Sequence, residues 1–279
     1  MSPQHSQAAK DYASGVDWPS LSLYVICGLV AFYLILPIFI VFPMSFSSAE
    51  FLTFPPPGFS IKWFQRYFGD SSWIEPTIVS FQVAFMAMIL STVLGTLAAM
   101  ALVRAQMRAK GMINTFILFP MIIPVIIISI ALYSFFTRTG LRGTRLALVL
   151  GHSLLCIPFV VITVSASLKG FDETLEKAAM ICGASRFKTF MKITFPIIRP
   201  GVISGALFAF IISFDEIVIS MFICGIDTRT LPLKMWEGIR MEISPVIAAV
   251  STLLICLSVV LLLSVEVLRR RAQSKIDGG

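Results

Sequence analysis

Two adjacent carboxyl groups, Asp215 and Glu216, stand in a run from Pro200 to Ile226 that otherwise carries no charge. An ionised acid inside a bilayer costs at least ~2.5 kcal/mol, so it faces a cavity or a partner. Such a pair can draw in a cation. Ser213, Tyr133 and the rings of Phe208, Phe210 and Phe214 can build a cage for an alkylammonium beside it. The competing reading is an interhelical hydrogen bond or a salt bridge to a loop arginine, with the rings packing against lipid or other helices. On a continuous helix adjacent side chains point about 100° apart, so one carboxyl can face solute while the other meets a neighbouring helix. Trp236 and Glu237, in the polar stretch GIDTRTLPLKMWEGIRME, are candidates for lining an outer mouth, and an interfacial tryptophan is the alternative. His152 reads as a helix-to-helix hydrogen bonder in preference to a proton relay.

Chemistry of bond making is not encoded. No P-loop, GxSxG, HExxH or paired metal spacing occurs, so no catalytic or metal residue is expected and the chain must borrow any ATPase it uses. Cys27, Cys156, Cys182, Cys224 and Cys256 are widely spaced and read as small buried hydrophobes, not as a disulfide framework.

A second informative stretch runs from Lys169 to Arg199. Leu175, Ala178, Ala179, Ile181 and Cys182 give an apolar face, led by Asp172, Glu173 and Glu176, which complement a helix start. Gly183 permits a left-handed turn, Ser185 is a plausible N-cap, and Phe187, Phe190, Met191 and Ile193 supply a face for a second short helix. Pro196 is expected to end that helix, with Pro200 and Gly201 restarting the chain. Two short, partly apolar helices exposed to water want a groove to fill; lying on a membrane surface is the alternative.

The elements that must position these groups are membrane spans. The chain is 57% hydrophobic and 13% charged, with a mean hydropathy of +0.90, whereas soluble domains carry roughly 25% charged residues. About 20 apolar residues cross the ~30 Å hydrocarbon core. Six segments qualify: Leu21 to Met44, Pro76 to Val103, Gly111 to Thr137, Leu146 to Leu168, Pro200 to Ile226 and Ile243 to Val265. The expected organisation is an N-terminal tail 1–20, one six-span domain 21–268 and a basic tail 269–279, with outer loops 45–75 and 225–244 and an inner loop 169–199. Within the first outer loop, IKWFQRYF places Trp63, Phe64, Tyr67 and Phe68 near helical spacing, which suits an interfacial helix. Fourteen Lys and Arg fall in the inner segments against eight in the outer ones, which favours both termini inside. The net charge of +7 is thus mostly topology, and no nucleic-acid partner is implied.

The 169–199 loop closely resembles the EAA signature of ATP-binding-cassette importer permeases: E-A-A, three residues, G, nine residues, I, one residue, L-P. The register falls on Lys177, Ala178, Ala179, Gly183, Ile193, Phe195 and Pro196. Lys177 replaces the usual glutamate, with Glu176 directly before it, and Phe195 replaces leucine. The resemblance implies an all-α, six-span permease of the type I importer kind, whose coupling helix between spans four and five docks in a groove of a cytoplasmic ATPase. Glu176, Lys177, Ala178, Ala179, Gly183, Ala184, Ser185, Arg186, Ile193 and Pro196 would carry that coupling. FIISFDEIVISMFICG and the residues after it resemble the polyamine (spermidine/putrescine) branch, which extends to opines and related small cations. That branch implies a bacterial inner membrane, a second and different permease subunit, an outer substrate-binding protein, and ATP with Mg on the ATPase dimer. Other small solutes, such as amino-acid derivatives or iron(III), are alternatives within the superfamily. A stand-alone secondary transporter is a more distant one, since no internal repeat is evident.

Overall fold

A computed structural model describes residues 18–104, 108–241 and 244–277. The tail drawn at 1–20 lies outside them except for its last three residues, and so do Glu242, Ile243, Gly278 and Gly279. Among the described residues the regular structure is all helical apart from one antiparallel bridge, between Ser47 and Phe59. The order is α1 Trp18–Ser45, α2 Lys62–Gly69, α3 Ser71–Arg104, α4 Lys110–Leu118, α5 Val125–Arg138, α6 Arg145–Lys169, α7 Thr174–Ile181, α8 Arg186–Thr189, α9 Phe195–Phe214, α10 Val218–Ile223, α11 Leu231–Met241 and α12 Pro245–Asp277. Helices dominate because a bilayer offers no partner for an open backbone N–H or C=O.

Five of these stretches are long and apolar enough to cross a membrane, and α4 with α5 makes a sixth that is bent by 95°. The crossing expected over Gly111 to Thr137 is this bent pair. Pro120 and Pro124 flank the bend, and each removes a backbone donor and disfavours helix in the residue before it. α12 runs unbroken to Asp277, so the boundary drawn at 268 falls inside a helix.

The centre is a trio of α3, α6 and α9, with α1 lying against α12 to one side. The trio packs on small residues. Ser91, Gly95 and Ala99 recur every fourth residue on α3, and Gly201, Gly205 and Ala209 do so on α9; all are buried. That spacing is how membrane helices approach closely where no hydrophobic force drives them together. Val160 of α6 sits between the two rows: a Cβ added at Gly95 would stand 2.7 Å from its Cβ, and one at Gly205 would stand 3.1 Å from its Cα. Gly205→Leu is expected to cost about 1–3 kcal/mol by overpacking and to lower the melting midpoint of the purified protein. Gly28→Leu, where a Cβ meets nothing within 4 Å, is the matched control.

α2 shows the helical spacing expected of IKWFQRYF, with Trp63 and Tyr67 turned inward. Trp63 Nε1 donates to the Ser47 carbonyl at 2.9 Å, and both rings join a core with Trp73, Phe214, Leu231 and Val246. Of the cysteines only Cys156 is buried; Cys224 is half-buried, and Cys27, Cys182 and Cys256 are on the protein surface. An apolar run fixes what surrounds a residue, not whether protein covers it.

Candidate functional site

The helix that carries the acid pair does not continue through it. α9 ends at Phe214 and α10 begins at Val218, leaving Asp215 (φ −89°, ψ 0°) and Glu216 in the break. The 100° separation expected on a continuous helix therefore does not apply. No proline or glycine stands between Phe214 and Val218, so side chains hold the break open. Glu216 Oε1 accepts from the Ile219 N–H at 2.9 Å, and Ser220 Oγ donates to the Glu216 carbonyl at 3.0 Å. A short polar side chain that bonds nearby backbone offers the chain an alternative to the helical ladder. Asp215 is exposed, and its carboxylate bonds to no described residue. The interhelical or arginine pairing held open for these acids is thus absent among the described residues; Glu216 bonds locally instead.

Phe214 joins Ser213, Asp215 and Glu216 here. Its ring centroid lies 5.0 Å from that of Phe81 and 5.7 Å from that of Phe210. Phe81, on α3, was not among the residues singled out in the sequence, because its partner lies more than a hundred residues away. His152 is fully buried on α6 and reaches both sides of the break: Nδ1 is 2.9 Å from Ser213 Oγ and Nε2 is 3.3 Å from Ser220 Oγ. It is the interhelical hydrogen bonder the sequence suggested.

Tyr133, Trp236 and Glu237 are otherwise engaged. The Arg142 guanidinium lies 4.6 Å from the Tyr133 ring centroid, and that of Arg240 lies 5.0 Å from Trp236. Arg229 Nη1 is 3.6 Å from Glu237 Oε2. The ring offered to an alkylammonium, Tyr133, and the two outer-mouth candidates, Trp236 and Glu237, each stand beside an arginine of the same chain. Among the described residues no group of three His, Cys, Asp or Glu is placed to hold a metal ion.

The 169–199 loop folds as two short helices around Gly183, which takes φ +85°. The Gly183 N–H donates to the Met180 carbonyl and that of Ala184 to the Ala179 carbonyl, both at 3.0 Å, closing α7 in the left-handed manner open to glycine. Asp172 Oδ1 accepts from the Thr174 N–H at 2.9 Å at the start of α7, and hydrogen bonds from Thr174 hold its carboxyl below the ordinary aspartate range. Ser185 caps α8, its Oγ accepting from the Lys188 N–H at 3.3 Å. Pro196, expected to end the helix, does not. A widened π turn over Phe190–Thr194 leads into α9 with Pro196 in its first turn, and one helical stretch runs from Arg186 to Phe214. The first turn of a helix is where a missing N–H costs least.

The charges in this loop split by direction. Lys177, Ala178, Gly183, Ser185, Arg186 and Pro196 are exposed, while Ala179, Ala184 and Ile193 are half-buried. Leu175, Ile181 and Phe187 also point to solvent, Ile181 at 87% exposure and Phe187 at 75%. Glu176 turns inward instead. It pairs with Arg104 at the end of α3 and accepts from Thr194 Oγ1 in the π turn, beside a cavity of about 390 Å³. This clasp is not legible in the sequence, since its members are 72 and 18 residues apart.

Comparison with known proteins bears on this geometry. Residues 91–276, which include the break and the loop, match the family described as binding-protein-dependent transport system inner membrane component. The chain is 33% identical over 240 residues to the spermidine/putrescine transport system permease protein PotC of Haemophilus influenzae, covering 86% of this chain and 93% of that protein. It is 30% identical over 230 residues to the putrescine transport system permease protein PotI of Escherichia coli K12, covering 80% and 82%. In fold it is similar to a chain of a bacterial ABC transporter involved in the import of the acidic polysaccharide alginate, with a TM-score of 0.70 and 18% identity over 88% of this chain and 95% of that one. This protein is a multi-pass membrane transport subunit, and it belongs to the family of binding-protein-dependent transport system inner membrane components.

Proposed function

We propose that this chain is a permease subunit of an ATP-driven importer for polyamines or related small cationic amines. One observation carries the substrate reading: an exposed carboxylate, Asp215, that bonds to no described residue at a break in a membrane helix, next to Phe214 in its cluster with Phe81 and Phe210. A carboxylate with aromatic faces is the arrangement that holds an alkylammonium once its water is removed. The names of PotC and PotI agree with it. Ser213 and Glu216 complete this part of the path. Tyr133, Trp236 and Glu237 form an outer rim whose cations, Arg142, Arg240 and Arg229, an arriving amine has to pass.

The partners follow from the loop. Leu175, Ile181 and Phe187 form an apolar surface for the groove of a cytoplasmic ATPase dimer, with Lys177, Arg186 and the Gly183 turn beside it. ATP and Mg sit on that ATPase. A second, different permease subunit closes the path, and an outer binding protein delivers the solute. Both termini lie in the cytoplasm, 169–199 is the inner coupling loop, and 45–75 and 225–244 face outward.

Reconstitution with the cognate binding protein and ATPase tests the proposal. Putrescine or spermidine is expected to stimulate ATP hydrolysis several-fold, and a neutral sugar or iron(III) is not. Equal stimulation by a neutral solute would overturn the cationic assignment.

A further inference from the structure

The break at Asp215, from Phe214 to Val218, contains no proline or glycine that enforces it. Among the described residues only glycines take a positive φ. Nothing in the backbone alone prevents α9 and α10 from joining into one helix, which would swing Asp215 away from its present place. The side chain from outside the span that hydrogen-bonds on both sides of the break is His152. Its ring bonds Ser213, two residues before Asp215, and Ser220, on the second turn beyond it.

The bonds on either side set the tautomer of a neutral ring. Ser220 has one hydroxyl proton, and it goes to the Glu216 carbonyl. In the neutral ring the His152 Nε2–H then donates to Ser220 Oγ, and Nδ1 accepts from the Ser213 hydroxyl. All three side chains are buried, and losing the ring leaves the Ser213 hydroxyl without the partner it has here, while Ser220 keeps only its bond to the Glu216 carbonyl. The helix that holds the clamp is itself wedged against the small-residue rows of α3 and α9, so the ring cannot follow a moving break.

We infer that His152 is a positioning residue for solute passage: by gripping Ser213 and Ser220 it holds span five broken and fixes where Asp215 stands. The functional half of this inference rests on the cation path proposed above; the structural half does not.

Spin labels at Phe208 and Met221, exposed positions on either side of the break, read the clamp directly in the assembled complex without solute. The wild type is expected to give a narrow distance distribution and His152→Leu a broad one. Ser220→Ala, which removes one bond and is a smaller insult to folding, should fall between, and His152→Gln, which can still reach Ser220, should narrow it again. An unchanged distribution in both His152→Leu and Ser220→Ala overturns the inference. Uptake of a cationic amine supplies the second readout: His152→Leu is expected to lose about tenfold, in line with one stranded bond, and to lose nothing further in an Asp215→Asn background. Losses that multiply in the double variant mean that His152 does not act through Asp215. Full uptake by Asp215→Asn alone counts against the cation path and leaves the clamp to be judged by the label distances.

Discussion

Glu176→Arg is expected to uncouple solute from ATP hydrolysis, and Arg104→Glu in the same chain to restore it. Glu176 lies where a coupling contact with the ATPase was expected, yet it pairs with Arg104 and Thr194 inside the subunit. Removing one partner of a buried pair costs roughly 3–5 kcal/mol, whereas exposed pairs contribute at most about 1. Arg104 and Glu176 keep 26% and 15% of their side-chain surface, which places the cost of breaking this pair between those limits, at about 2 kcal/mol. Charge reversal adds repulsion between two guanidiniums, so the stimulated rate should fall at least tenfold. The swapped pair rebuilds the bond in the opposite sense. Solute-stimulated hydrolysis in proteoliposomes decides the matter: failure of the double variant to recover any stimulation would show that Glu176 acts on the ATPase and not on Arg104.

Asp215→Asn is expected to reduce uptake of a cationic amine by about tenfold to a hundredfold. A unit charge pair at 4 Å is worth about 4 kcal/mol at the effective dielectric of a protein surface, and the exposure of Asp215 lowers that to about 1.4–2.7 kcal/mol. Asp215→Glu keeps the charge and should retain most of the uptake. Glu216→Gln should do less harm than Asp215→Asn, because an amide oxygen can still accept from the Ile219 N–H. Initial rates across a range of solute concentrations separate the two acids. Equal losses at both positions would mean that the break, and not the charge at Asp215, is what matters.

Local features were legible in the sequence because their causes are local. Gly183 had to turn, Ser185 had to cap, and uncharged runs of twenty residues had to cross. The apolar length of span three was legible and its bend was not drawn from it, although two prolines four residues apart flank that bend. Pro196 erred the other way, since a widened turn before it lets the helix continue. The break at Asp215 was not legible, because no residue there forbids a helix and the ring that grips both sides of it, His152, sits on another span. Arg104 and Glu176 were each given a plausible local purpose, topology for one and a helix start for the other, which concealed that they face each other. The Tyr133 ring, offered in sequence to an alkylammonium, and the Trp236 ring, offered to an outer mouth, each face an arginine that was not singled out there.

The close fit of α3, α6 and α9 has a mechanical corollary. Where an added carbon would already collide, surfaces can neither slide nor compress, so the three helices respond to load as one stiff body. Compliance is confined to two joints, the bend before Val125 and the break before Val218. A push arriving at the clasp of Glu176 on Arg104 reaches two members of that body at once, and can tilt it but not shear it. The tilt is taken up as a change of angle at the joints. Asp215 stands at one of them, where a small stroke at the far end becomes a change of direction for the carboxylate.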